Sequence, residues 1–394
     1  MASAALDFSL FGGAETLPPD HQKEQFQDES RATPSPSLSP TSESYPDSPP
    51  YHKHDPRHWH PATVDKLDPH DWLWLQTEEP HRSRRKAILA AHPEIRKLMG
   101  HEPLTKYIVL AVLSLQLSAV YFFRNTHPLS LSFIVTAYVV GGTANQNLFL
   151  AIHEITHNLA FRSIKANKLL AIFANLPIGI PYAMLFKDYH IEHHKSLGED
   201  GIDTDIPSWV ELAVLRNVAG KAFFATFQIF FYALRPGFIK AQKLTPWHIL
   251  NITVQLVFDF ILIRTLGWYS YFYLIISSFF AGSLHPCAAH FIAEHYLFEN
   301  IAQETWSYYG PLNVLCYNVG YHNEHHDFCN IPWTRLEAVR QLAPEFYNSL
   351  PCHDSWPMVT YRFIFEESTG LFARIKRKPS SQSSPSPQSV NKEE

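Results

Sequence analysis

The sequence predicts an all-α integral membrane fold, in which four transmembrane helices carry a cytosolic helical cap that holds a histidine-rich site. Three observations lead there. Four apolar runs have about 20 residues each, the length that crosses a hydrocarbon core. Basic residues crowd one side of those runs, and three histidine clusters lie between them. The formal net charge of −5 over 394 residues is too mild to imply a nucleic-acid partner.

Residues 1–65 are rich in Ser, Pro, Glu and Asp and bury too little apolar surface to fold alone, so a disordered tail is expected. They include no basic start and no sustained apolar core of the kind a cleavable signal peptide needs. Residues 66–103 combine Trp72, Trp74 and a basic run, which suits a segment on the membrane surface. The region 104–370 holds the expected spans Leu104–Phe123, Leu129–Ile152, Trp247–Leu266 and Trp268–Cys287. Each pair is joined by a very short turn beside one basic residue, Arg124 or Arg264. The opposite side carries Arg82, Arg84, Arg85, Lys86, Arg162, Lys165, Lys187, Lys240 and Arg374 among others. By the positive-inside rule both termini face the cytosol.

Two further apolar stretches are expected to be interfacial or re-entrant. Leu169–Phe186 contains Pro177, Gly179 and Pro181, which interrupt a helix. Val210–Leu234 contains Arg216 and Lys221, leaving an apolar core of about 12 residues, short of a span. A single extra crossing would also put the histidine clusters on opposite membrane faces. From 371 to 394 a second disordered tail is expected. Cys287, Cys316, Cys329 and Cys352 show no CxxC pairing and read as free thiols.

The clusters are His153/His157, His190/His193/His194 and His322/His325/His326. Helix positions i, i+3 and i+4 share one face, so each cluster can aim its imidazoles at one point. With 23 histidines in the chain, an HxxxH pair arises by chance about once, as at His54/His58. An HxxHH box arises by chance about 0.08 times, and two such boxes about 0.003 times. Eight imidazoles and a further candidate, His290, point to two metal ions. His285 and His295 are expected to be supporting or surface groups. Asp188, Glu192 and Glu324 are candidates to orient imidazoles, with solvent-facing roles equally open. Asp259 should face the bundle. Asp200, Asp203, Asp205 and Glu211 read by default as a solvated loop.

His153-Glu154-Ile155-Thr156-His157 also fits HExxH, the zinc-protease pattern. A zinc hydrolase needs three protein ligands and an open position, and has no use for two further boxes. A metal transporter would place its ligands near the bilayer midplane, whereas these boxes flank the spans. A membrane-bound imidazole site suits oxygen chemistry at iron on an unactivated alkyl chain.

The runs HEITHN (153–158), NLPIGIPYAMLFKDYHIEHHKSLGEDGIDTDIPSWVE (175–211), HPCAAHFIAEHYLFE (285–299) and GYHNEHHDFCNIPWTRL (320–336) resemble the sphingolipid Δ4-desaturases. So does TEEPHRSRRKAILAAHPEIRKLMG, and the similarity covers roughly residues 68–370. The resemblance implies insertion of a trans C4–C5 double bond into the sphinganine chain of dihydroceramide, giving ceramide, at the endoplasmic reticulum membrane. It implies two non-haem irons, O2, and electrons from NADH through cytochrome b5 reductase and cytochrome b5. The iron ligands it implies are His153, His157, His190, His193, His194, His322, His325 and His326, with His290 as the ninth from its Ala-Ala-His context. No HPGG haem-binding motif occurs, so the donor is expected to be a separate protein. A sphingolipid C4-hydroxylase on the same site remains the alternative.

Overall fold

The structure is a computed structural model that describes residues 61–68 and 70–378; the two expected tails at 1–60 and 379–394 lie outside the described residues. Two-residue β1 (Leu73–Trp74) precedes α1 (Pro80–Ala91), whose first turn is capped by the Glu79 carboxylate. Helix α2 (Leu104–Phe123) coincides with the first expected span. The second is an unbroken helical run. Its α3 (Leu131–Thr136) passes through a π-helical turn (Ala137–Gly142) into α4 (Thr143–Thr156).

Next come α5 (Ile164–Asn175) and α6 (Ala183–Lys195), separated by a 116° bend. Pro177 and Gly179 make that bend, Gly179 adopting φ +77°, a conformation that suits glycine. The Asn175 amide then clasps both sides: its Nδ2 donates to the Ile180 carbonyl, and its Oδ1 accepts from the Tyr182 and Ala183 amides. Short α7 (Trp209–Val214) leads into α8 (Val218–Ile239). Helices α9 (Pro246–Leu266) and α10 (Trp268–Ala281) occupy the last two expected spans, turning at Gly267. From α10 the chain bends by 43° into a 3-10 turn (Pro286–Ala289) and α11 (His290–Ala293).

The remainder is a layer of short elements. It comprises β2 (Ser307–Tyr308), α12 (His322–Asp327), α13 (Leu336–Leu342), α14 (Pro344–Tyr347), β3 (Cys352–His353), α15 (Trp356–Phe365) and β4 (Ile375–Lys376). β1 pairs in parallel with β4, and β2 with β3.

The fold is mostly helical and that of a membrane protein, but the expected count of four spans is not what the helices themselves give. Among the described residues three helices are long and apolar enough to cross a membrane, or up to five if each bent pair counts as one. The third of them is α8, where the sequence predicts a stretch too short to span. The difference has a physical reason: Arg216 lies before the helix begins, and the cations within it do not shorten it, because they are tied to partners. Lys221 Nζ donates to the Glu366 and Thr369 carbonyls, and Arg235 forks onto the Glu211 carboxylate at 2.7–3.1 Å.

A second correction concerns residues 371–378, expected within the tail. They are largely buried, with β4 paired to β1, Arg374 on Asp205 at 2.7 Å, Lys376 on Asp200 at 2.6 Å and Arg377 on Glu304 at 2.6 Å. Asp200 and Asp205 in the acidic stretch after the second box are therefore counter-charges for this segment, while Asp203 faces His193 and Glu211 pairs with Arg235, so the stretch is not a solvated loop.

Polar side chains join the apolar helices. Gln116 on α2 donates to Asn145 Oδ1 on α4 at 2.6 Å, and Asn145 donates to Ser278 on α10 and to the Pro177 carbonyl at the bend. Asp259 faces inward, accepting from Gln255 at 2.9 Å. In an apolar surround such bonds fix which helices sit together.

Candidate metal centre

The first box lies at the end of α4. His157 is its C-cap, and Asn158 at φ 61° terminates the helix, a left-handed position that Asn tolerates. The second box occupies the last two turns of α6, beyond the 116° bend. The third forms α12, entered through Tyr317 and Asn318, both at positive φ. His295 follows α11 directly.

These segments converge into three overlapping groups, each with ligand atoms within 4.8 Å of one another. His153, His157, His190, His194 and His325 make the first. His193, His295 and His326 make the second, and Glu294, His295 and His322 the third. Through the shared His295 the last two form one cluster. The two centres adjoin: the His194 and His326 rings stack with centroids 4.1 Å apart.

All eight box histidines are thus brought together, but the ninth member differs from the one the sequence predicts. His295 joins the clusters, with Nε2 3.1 Å from His193 Nε2 and 2.9 Å from His322 Nε2. His290 lies outside all three groups, its Nδ1 2.8 Å from Glu294 Oε1. The signal for His295 was its proximity to His290 in sequence, which spacing alone does not resolve.

The orienting partners also differ from the expected acids. Asp188 is 3.8 Å from His248, Glu192 pairs with Lys240, and Glu324 accepts from the Ser307 and Tyr309 hydroxyls. Instead Asp203 Oδ1 accepts from His193 Nδ1 at 2.9 Å, and the Glu304 carbonyl accepts from His295 Nδ1 at 3.0 Å. Asp203 is itself fixed by the Gly198 and Asp205 amides. Burial pushes its carboxyl up, yet the facing His193 ring and Arg374 outweigh burial and hold it below the usual carboxylate range. Behind the third box, Asp327 takes His81 Nδ1 and Arg84 Nε, each at 2.7 Å, joining α1 to α12.

The donor set fits metal ions. His295 donates through Nδ1 to a carbonyl, so its Nε2 presents a lone pair; burial lowers the His193 pKa but the Asp203 carboxylate outweighs it and raises it, and His193 offers its own Nε2 lone pair once that ring is neutral. Such lone pairs aimed at one another repel unless a cation sits among them. Their separations of 2.9–3.2 Å across both clusters also suit ligands. Two imidazole nitrogens about 90–100° apart around an ion, with bonds of about 2.1 Å, are about 3.0–3.2 Å apart. Burial, then neighbouring imidazoles, hold His322, His325 and His326 well below the ordinary histidine pKa, keeping them neutral for ligation. His326 Nε2 is buried with no hydrogen-bond partner, as a ligand atom awaiting an ion would be.

The HExxH reading needs Glu154 free as a general base. Glu154 is buried and accepts the Trp333 backbone N–H at 2.9 Å, and it belongs to none of the groups.

A cavity leads to the clusters, with about 160 Å3 open to the centres of water-sized molecules. Phe149, Tyr182, Phe186, Ile229, Phe291 and Val319 make apolar walls, and His153, His190, His193, His295 and His322 line its metal-facing side. It can hold an alkyl chain against the imidazole clusters.

Comparison with known proteins agrees with this architecture. Residues 128–356 match the family model described as fatty acid desaturase, which places the chain in the class of membrane-bound lipid desaturases. Residues 68–104 match the model described as sphingolipid Delta4-desaturase. A sphingolipid delta(4)-desaturase of Schizosaccharomyces pombe is 50% identical over 326 residues, covering 80% of this chain and 90% of the relative. One from Komagataella phaffii is 53% identical over 328 residues, covering 80% and 91%. A human sphingolipid delta(4)-desaturase/C4-monooxygenase is 46% identical over 309 residues, covering 78% and 95%. The chain belongs to the sphingolipid Δ4-desaturase family.

Proposed function

We propose that this protein is a sphingolipid Δ4-desaturase that introduces a trans C4–C5 double bond into the sphinganine chain of dihydroceramide, giving ceramide. The observation that carries this reading is the apolar cavity ending on two adjoining imidazole clusters. His153, His157, His190, His194 and His325 would hold one iron, and His193, His295, His322 and His326 the other. Bound there, the pair would supply the O2 activation that breaking unactivated C–H bonds requires. The chain itself supplies position: the aromatic walls fix the alkyl chain, and a small displacement selects which C–H bond faces the metals. Asp203 and the Glu304 carbonyl hold His193 and His295 in the ligating tautomer.

In this reading electrons come from NADH through cytochrome b5 reductase and a separate cytochrome b5, at the endoplasmic reticulum membrane. Four spans place both termini and all boxes in the cytosol, with α8 lying along the cap. Support for that placement comes from both ends of α8. Lys221 is tied to residues 366–369, and Arg235 is tied to Glu211 and the Asp205 carbonyl, beside the second box.

Lipid mass spectrometry of a desaturase-null cell expressing the chain tests the function, with ceramide the expected product. The monooxygenase in the human relative's name favours one second reading, C4-hydroxylation. Phytoceramide alone would establish that reading over desaturation.

A further inference from the structure

His290 shares with His326 a buried Nε2 that has no hydrogen-bond partner, but it lies outside the three converging groups. It is 3% exposed, its ring lines the cavity, and its Nε2 is buried without a hydrogen-bond partner. It is not among the groups whose atoms converge on a common point. A buried polar atom left unpaired costs about 1–3 kcal/mol, so such an atom at a cavity wall marks the place where something else bonds.

What bonds there follows from the tautomer. Glu294 Oε1 lies 2.8 Å from His290 Nδ1, and in its ionised form the carboxylate accepts, which puts the ring proton on Nδ1. Nε2 then offers a lone pair and takes a hydroxyl or amide donor. Glu294 is anchored at the same time to the metal cluster, 3.7 Å from His322 Nδ1. The acceptor is therefore tied through Glu294 to the cluster residue His322 and lines the same cavity. On the proposed substrate, C4 reacts and C3 carries a hydroxyl one bond away.

We infer that His290 Nε2 accepts a hydrogen bond from the C3 hydroxyl of the long-chain base, and that Glu294 sets the tautomer that makes it an acceptor. His290 is then a specificity-determining residue that tells a sphingoid chain from a plain acyl chain. This rests on the desaturase reading of the same cavity.

The test compares three substrates on the detergent-solubilised, iron-loaded enzyme: dihydroceramide, its 3-deoxy analogue and its 3-keto analogue. The wild type should prefer the hydroxyl over both by about tenfold or more in kcat/KM, since one hydrogen bond is lost and the ketone presents an acceptor to an acceptor. H290F should erase that preference with iron content unchanged by elemental analysis. H290Q, whose amide both donates and accepts, should narrow the gap between hydroxyl and ketone. Equal use of all three substrates by the wild type overturns the inference without any variant, so a misfolded H290F leaves it decidable. Loss of iron in H290Q or a correctly folded H290F, or full discrimination in H290F, also overturns it. Failure of the wild type to desaturate dihydroceramide overturns the underlying reading, and this inference with it.

Discussion

Asp203 decides how His193 meets a metal. Its Oδ1 holds His193 Nδ1 while its two oxygens collect the Gly198 and Asp205 amides, so its position is set by the backbone turn that follows α6. D203N removes the charge and offers an amide donor to His193. Metal affinity should fall about 10–100-fold, the usual effect of losing a partner behind a ligand. Iron retained after dialysis against a graded chelator series measures it, and unchanged retention would exclude Asp203 from this role. At this scale the sequence was legible where spacing repeats. The eight box imidazoles stand out because i, i+3 and i+4 share a face. His295 and Asp203 do not stand out, because each reaches the cluster through a fold-dependent turn and not through a helical repeat.

At the scale of elements, three contacts hold the layers in register. Asn145 joins α2, α10 and the α5–α6 bend, accepting from Gln116 and donating to Ser278 and the Pro177 carbonyl. N145L should cost about 1–2 kcal/mol, given the modest strength of polar bonds in an apolar surround, read as a lower unfolding midpoint in detergent. The π-helical turn brings Gly141 against α10 so closely that an added Cβ would lie 2.1 Å from Ser277 Oγ. G141A should therefore cost about 1–3 kcal/mol through overpacking, seen in the same melt. Between α1 and α12, R84A leaves Asp327 buried without its guanidinium. A loss of about 3–5 kcal/mol is expected, with activity falling as α12 loosens; a melt within 1 °C of wild type would contradict it. Helix α10 ends at Ala281, short of the expected Cys287, whereas the helices of the first and third expected spans were readable almost to the residue from apolar length. The α8 helix was not, since a cation in an apolar run reads as an interruption until its partners, here in residues distant along the chain, are known.

For the molecule as a whole, metals held as proposed would be part of the fold. Nine inward-facing imidazoles drawn from α4, α6, α12 and the turn after α11 repel without ions and bind only in the native arrangement. Stripping the metal should lower the melting midpoint, because a ligand that binds only the folded state stabilises it by mass action. Hydrogen exchange should rise in α6 and α12 while α2 and α9, held by apolar packing, change little. Uniform exchange across all four helices would contradict a locally metal-dependent layer. The overall class was legible because apolar length and histidine spacing are local properties. The burial of residues 371–378 was not, because it depends on β1, Asp205 and Glu304, all far away in sequence.

That last segment bears on biosynthesis. Arg377 clamps the Glu304 carboxylate, donates to the Leu197 and Thr77 carbonyls, and takes part in the backbone bridge to residues 198–200, while the Glu304 carbonyl orients His295. A nascent chain still lacking residue 377 has made every ligand but cannot yet lock the geometry around His295. Where the clusters hold iron as proposed, its loading is expected to be a late, post-translational event, and a translation-arrested polypeptide stalled just before this arginine should emerge from the ribosome as the apoprotein.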